Sequence, residues 1–273
     1  MSRMNLNSLI VGRQQRPLRI ALYGVDGIGK STFAAAAPAP IFISAEDGTA
    51  HLDAVRFPNP EHWQDILEAI GVLYHEKHEF QTVVLDSIDW AEQIARDAVC
   101  VEKGVTSIED IPFGKGWVAC QEKISELLRG FDALYAKGMN IILVAHTQIR
   151  PFNDPNLDVP FDRYTIKMEK RSEPLLREWS DYVLFANWDT TVSQKTDSKG
   201  NAQMGEAGKA KAKSYGKRLL HTQRAAGFDA KRRFDIPDRL PLLWADFYSA
   251  HQSALNQPTT TNRKPTTTAT TGA

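Results

Sequence analysis

Little in this 273-residue chain speaks for a cross-linked, exported or membrane-spanning protein. It has two cysteines, Cys100 and Cys120, which stand neither in a C-x-x-C nor near a pair of histidines, so a disulfide framework and a zinc site both lack support. No apolar run approaches the roughly 18 residues needed to cross a bilayer. Met1 to Arg19 is polar and lacks the apolar centre of a secretory signal. A reducing cytoplasm is the expected setting, with no membrane partner. Net charge is also lacking: 33 basic residues balance 33 acidic ones, so attraction of the whole molecule to nucleic acid cannot be argued from its total.

The distribution of charge says more than the sum. From Glu46 to Asp110 there are 15 acidic and 4 basic residues, whereas Lys195 to Arg239 holds 12 basic and 5 acidic, which predicts a polarised surface. Hydrophobic residues make up 42% of the chain, enough to build a buried core. Short β-branched runs at Arg19 to Tyr23, Ile41 to Ser44, Thr82 to Leu85, Asn140 to Ala145 and Tyr182 to Ala186 read as buried parallel strands. Between them, Trp63, Ile66, Leu67, Ile70 and Leu73 share one helical face, and Ile124, Leu127, Leu128, Phe131 and Leu134 share another. Alternation of this kind predicts an α/β fold, a mainly parallel sheet with helices on both faces. The Thr-rich end cannot bury enough apolar surface to offset its ordering entropy. The expected organisation is an N-terminal arm (1–17), one folded α/β domain (18–255) and a disordered tail (256–273).

Chemistry enters directly after the first strand. Gly24, Val25, Asp26, Gly27, Ile28, Gly29, Lys30 and Ser31 match G-x-x-x-x-G-K-[ST] at every position, the phosphate-binding P-loop. Its glycines let backbone amides approach phosphates without an intervening Cβ, and the helix that follows points its positive end at the anion. Lys30 should bridge the β- and γ-phosphates, the Ser31 hydroxyl should take one position on Mg²⁺, and Thr32 should reach the α-phosphate. ATP and Mg²⁺ are therefore the expected cofactors. The strand T-V-V-L-D ends in Asp86, whose carboxylate can hold a water on the metal from the same edge of the sheet. Between loop and Asp86 lies one more strand, I-F-I-S, followed by Glu46. A carboxylate at the end of a neighbouring strand can polarise the attacking water, which makes Glu46 the expected base, with Asp47 beside it as the alternative.

These pieces, together with I-I-L-V-A-H-T-Q-I-R at Ile141 to Arg150, resemble the ATPase core of the RecA recombinase family, and most closely the minimal phage-encoded recombinases and annealing proteins. The likeness covers Leu18 to Ser249. It implies that Glu46 activates water and that His146 or Gln148 senses the γ-phosphate. It implies single-stranded DNA, further copies of the chain in a ring or filament, and a single-strand-binding protein as partners, in a phage's host cytoplasm. Two DNA-facing loops are implied as well. The first, Glu102 to Trp117, would offer Phe113 and Trp117 for stacking and Lys115 for a phosphate. The second, Arg150 to Arg177, would offer Arg150, Lys167, Lys170 and Arg171. A basic residue of the neighbouring subunit would reach the γ-phosphate, drawn from Lys217, Arg218, Arg224, Lys231, Arg232 and Arg233 in a turn-rich region after the sheet. The N-terminal arm would pack on the next subunit.

Two other readings compete. A kinase of a small metabolite would need a compact lid of arginines, and none is visible; a packaging or scaffolding protein with a vestigial site would not need Lys30, Ser31, Asp86 and Glu46 together. Gln194 to Asp197 reads Q-K-T-D, a departure from the guanine-reading motif of GTPases.

Overall fold

All five apolar runs form strands, and four further strands join them. The computed structural model describes residues 8–10, 12–46, 48, 52–193 and 211–257. Its strands are β1 (Arg19–Gly24), β2 (Pro40–Ser44), β3 (Val55–Arg56), β4 (Thr82–Asp86), β5 (Asn140–Phe152), β6 (Phe161–Ile166), β7 (Tyr182–Ser193), β8 (Lys211–His221) and β9 (Arg239–Pro241). The helices are α1 (Lys30–Ala35), α2 (Trp63–His75), α3 (Ile88–Lys103), α4 (Lys115–Ala136), α5 (Ser172–Trp179) and α6 (Trp244–Asn256). The main sheet runs β3-β2-β4-β5-β1-β7-β8-β9, with β6 paired to the far half of β5. From β3 to β7 every neighbour is parallel; β8, β9 and β6 are antiparallel additions. This is an α/β P-loop fold, its parallel sheet flanked by helices.

Strand periodicity sorts the core into two layers. Ala21, Tyr23, Ile141, Leu143 and Ala145 face α2, α3, α4 and α5, where Ile66, Ala91, Ile124, Leu127 and Phe131 are buried. Ile20, Leu22, Ile142 and Val144 face the other way, onto Phe33 of α1 and Trp244 and Phe247 of α6. Both faces of the central strands are thus covered, as parallel sheets require.

Several boundaries differ from the sequence expectation, for one reason: antiparallel pairing satisfies backbone groups that a loop would leave to water. The strand expected to end at Ala145 continues to Phe152, because Thr147 to Phe152 pair with Phe161 to Ile166. The segment Arg150 to Arg177 is therefore a β-hairpin followed by α5. The segment Glu102 to Trp117 comprises the end of α3, 3-10 turns at Ile108–Asp110 and Pro112–Gly114, and the start of α4. Lys217 and Arg218 lie inside β8, within the sheet. Asp47, the Q-K-T-D stretch and all of the expected tail beyond Gln257 lie outside the described residues. In the described part of the arm, the Arg13 guanidinium donates to the carbonyls of Ala254 and Gln257 in its own chain.

A clamp ties the end of β1 to β6 and α5 through Asp229. The buried Tyr23 hydroxyl donates to the Asp229 carbonyl at 2.5 Å and accepts from the Asp229 amide at 3.0 Å. The Asp229 carboxylate in turn pairs with Arg177 at 2.8 Å and with Arg163 of β6 at 3.7 Å.

The packing of α6 yields a stability prediction. Phe247 is fully buried against Tyr182, Phe33 and Trp244. Phe247→Ala should cost about 3–5 kcal/mol, lowering the melting temperature by on the order of 10 °C, measured by calorimetry; a change of a degree or less would show that α6 does not hold the face behind the phosphate loop.

Candidate functional site

The parallel register delivers the site. Gly24 at the end of β1 lies beside His146 of β5 on one side and Ala186 of β7 on the other, while Ser44 of β2 lies level with Asp86 of β4. One edge of the sheet therefore carries the phosphate loop, Glu46, Asp86 and His146. Gly24 is required by space, since a Cβ there would sit 2.2 Å from the Ala186 carbonyl oxygen. Gly29 is required by conformation, with φ at 103°.

The resulting pocket, about 290 Å³, is lined by Gly27, Gly29, Lys30, Ser31, Thr32, Glu46, Gly48, Asp86, His146 and Arg218. The Lys30 ammonium donates to the carbonyls of Gly24 at 3.0 Å and Val25 at 3.3 Å. Burial lowers its pKa, opposed by the carboxylates of Asp26, Asp86, Asp89 and Glu46. It is a poorly solvated cation facing several acids, and an anion of high charge would find it unscreened. Burial raises the Asp86 pKa, opposed by the neighbouring Ser31 hydroxyl and by Lys30, and Oδ2 of that carboxylate is buried with no hydrogen-bond partner among the described residues. A hydroxyl beside a carboxylate with one orphaned oxygen forms a hard-oxygen set that fits Mg²⁺ held directly or through water.

Glu46 is half-buried, and burial pushes its pKa up, helped by Asp86 and Asp89 and opposed by His146 and Lys30. Raised proton affinity suits a base better than an ordinary carboxylate would. The His146 ring bridges two acids: Nδ1 lies 2.9 Å from Asp89 and Nε2 lies 3.8 Å from Glu46. Asp89 also accepts from the His146 amide at 3.0 Å. Its hydrogen bond raises the His146 pKa, against burial, while its own pKa is lowered, because the bonds from His146 outweigh the desolvation that heads the opposing effects.

Of the two sensor candidates, His146 faces this pocket. Gln148 instead donates to the carbonyls of Ile166 at 2.7 Å and Met168 at 3.3 Å. It lines a second cavity of about 270 Å³, together with Asp89, Trp90, Arg96, Trp117 and Lys167. The β5–β6 hairpin accounts for this, since it turns the Gln148 side chain onto the opposite strand. Asp89 was not singled out as a site residue by sequence; its signal was a carboxylate three residues beyond Asp86, in the first turn of the helix that follows. Arg218 was singled out for a neighbour's site, yet it lines the pocket of its own chain.

The residues expected to face DNA divide in two. Phe113 is 96% exposed, Lys115, Lys167 and Lys170 are exposed, and the Arg171 guanidinium lies 3.5 Å from where a Cβ on Gly114 would stand, so the two segments meet. Arg171, half-buried, pairs with Glu169 at 3.2 Å, and Arg150 and Trp117 are likewise committed within the chain. Arg150 donates to the Met168 carbonyl at 2.7 Å and lies 3.7 Å from the Glu173 carboxylate. The Trp117 indole donates to Glu109 at 3.1 Å, under the Arg96 guanidinium.

The His146–Asp89 pair has a measurable consequence. A histidine whose folded pKa is raised stabilises fully below its unfolded value, 6.5, and loses that contribution as pH rises through the folded value. Asp89→Asn should lower the His146 pKa in an NMR titration and shrink the pH dependence of stability between about pH 6 and 8; an unchanged titration would refute the pairing.

Comparison with known proteins gives one family match and several distant likenesses. A family model described as an AAA domain matches residues 16–234. The SPbeta prophage-derived uncharacterized protein YorG of Bacillus subtilis (strain 168) is 26% identical over 132 residues, spanning 46% of this chain and 40% of that protein, so the chain covers less than half of this relative's length. Among solved structures, the RadB recombinase aligns at 16% identity and a TM-score of 0.38, covering 66% of this chain and 80% of that one. The flagellar accessory protein FlaH from Methanocaldococcus jannaschii aligns at 12% identity and 0.37, covering 79% and 87%. With most of its length matched by the family model and its P-loop intact, the chain belongs to the AAA-domain family.

Proposed function

We propose that this protein hydrolyses ATP and couples that reaction to binding single-stranded DNA, as a recombinase or annealing protein of phage type. One observation carries the coupling: a continuous polar chain leads from the phosphate pocket to the exposed cations. Glu46 meets His146, His146 meets Asp89, and Asp89 lies 3.9 Å from the Lys167 ammonium. Lys167 projects from the end of the hairpin into solvent, near Lys170 and Arg171. A change in charge at Glu46 or at a γ-phosphate thus alters what Asp89 offers Lys167.

Within this reading Lys30, Ser31 and Thr32 bind the phosphates, and Ser31 with Asp86 holds Mg²⁺. Mg²⁺ would spread the charge of the β- and γ-oxygens. Glu46 takes the proton of the attacking water, and His146 presents Nε2 to the terminal phosphate while Asp89 fixes its orientation. Phe113 supports the DNA half. An exposed ring gains nothing in folding, and its φ of 59° costs a non-glycine residue on the order of 1 kcal/mol. Stacking on a base would repay that conformation. Association into a ring or filament, and a single-strand-binding protein as a further partner, belong to the same proposal.

Three measurements test it. Single-stranded DNA should stimulate the ATPase several-fold, whereas a small-metabolite kinase would be indifferent to it. Lys30→Ala should lose hydrolysis and most nucleotide affinity, while Glu46→Gln should bind ATP, hydrolyse it at least about 100-fold more slowly and form longer-lived complexes with DNA; wild-type turnover in either variant would unseat the assignment. Replacing Lys167, Lys170 and Arg171 with Ala should flatten the salt dependence of DNA affinity by about 2 in log–log slope. Phe113→Ala should leave the slope unchanged and cost about 1–3 kcal/mol at every salt concentration. Parent-like binding by both variants would move the DNA site elsewhere.

A further inference from the structure

The structure assigns Arg218 to the terminal phosphates of a nucleotide bound in its own chain, as an in-chain cation opposite the phosphate loop. The proposal rests on the ATP reading above but concerns a residue outside the motif. Its basis is the register of the antiparallel edge. Gly24 of β1 is level with Ala186, and two positions farther along β7, Trp188 stands opposite Arg218 of β8. Strands β7 and β8 thus continue past the end of β1, carrying Arg218 over the loop. Its guanidinium lies 3.5 Å from the Ile28 carbonyl oxygen and 2.6 Å from where a Cβ on Gly29 would stand. Gly29, at φ 103°, leaves room for that group, which lines the same pocket as Lys30, Ser31, Asp86, Glu46 and His146.

Arg218 differs from Lys231, Arg232 and Arg233 in having little to hold it. The Lys231 ammonium donates to three carbonyls, of Arg177, Glu178 and Ser180. Arg232 pairs with Asp235 and Asp238, and Arg233 with Asp181. Among the described residues, no carboxylate lies within ion-pair distance of Arg218, and its contact with Ile28 is at the limit of a hydrogen bond. A planar fork of donors, uncommitted and facing Lys30 across the loop, matches the geometry and charge of phosphoryl oxygens. An arginine so placed stabilises the charge that develops as the terminal phosphoryl group departs.

The test uses the full chain with Arg218→Ala and Arg218→Lys. Arg218→Ala should weaken binding of a non-hydrolysable ATP analogue by about tenfold or more, change AMP affinity little, and slow turnover by about 100-fold or more. Arg218→Lys keeps the charge but not the fork and should recover binding more than turnover. Melting temperatures within a few degrees of the parent establish that both variants fold; should Arg218→Ala not fold, Arg218→Lys decides on the split between binding and turnover. Mixing Arg218→Ala with Lys30→Ala separates one chain from two. No recovery of hydrolysis is expected, because each chain lacks part of its own site. Recovery in the mixture would overturn the proposal in favour of contact with a neighbour's nucleotide, and parent-like turnover, or equal losses for the ATP analogue and AMP, would overturn it outright. A parent that neither binds nor hydrolyses ATP would instead reject the underlying reading.

Discussion

Parallel register across four strands is the constraint on which the site depends. β2, β4 and β1 end at nearly the same height along β5, because Ser44 pairs with Asp86, Asp86 with Val144, and Gly24 with His146. A shift of one residue in any of them would turn its terminal side chain to the opposite face and its core residues outward. The penalty for such a slip is large, since β1, β4 and the first half of β5 are buried on both faces. The geometry of the site is thereby enforced by hydrophobic packing far from any polar group.

What could be read from the sequence follows from how local the information is. The phosphate loop was legible because its eight residues are contiguous and each has its own backbone or charge requirement. Asp86 and Glu46 were legible because each ends an apolar run. The β5–β6 hairpin was not, since its strands alternate polar and apolar residues and contain Pro151, so no buried run marks them. Strand β8, Lys211 to His221, carries four cations and a glycine, a composition that reads as a solvated loop until a neighbouring strand supplies its hydrogen bonds. Arg218 was visible as a charge and invisible as a position, because its place depends on the pairing of β7 with β8, contributed by residues some thirty positions apart in sequence. Asp89 was hidden differently: a single acid in the first turn of a helix has a sufficient local explanation as a favourable dipole partner, and only the fold shows that it holds His146.

Polarity of the chain acquires a meaning in three dimensions. The acid-rich stretch supplies Glu46 and Asp86 to the pocket, Asp89 to the His146 ring behind it, and the solvated face of α2 and α3. The basic stretch returns across the sheet edge and places Arg218 against that pocket from the other side. The two stretches are about a hundred residues apart in sequence and meet only because β1 sits between β5 and β7.

The clamp ties the hairpin to the strand that leads into the phosphate loop. Tyr23 lies one residue before that loop; its hydroxyl bonds to the Asp229 backbone, while the Asp229 carboxylate holds Arg163 near the middle of β6. The Tyr164 amide also donates to the Gly227 carbonyl at 2.8 Å. β6 is thereby held at its middle through the 227–229 segment, and not by its pairing with β5 alone. Loss of the single Tyr23 hydroxyl would leave both the buried amide and the carbonyl of Asp229 without their partner, so one side chain secures hairpin and phosphate loop alike.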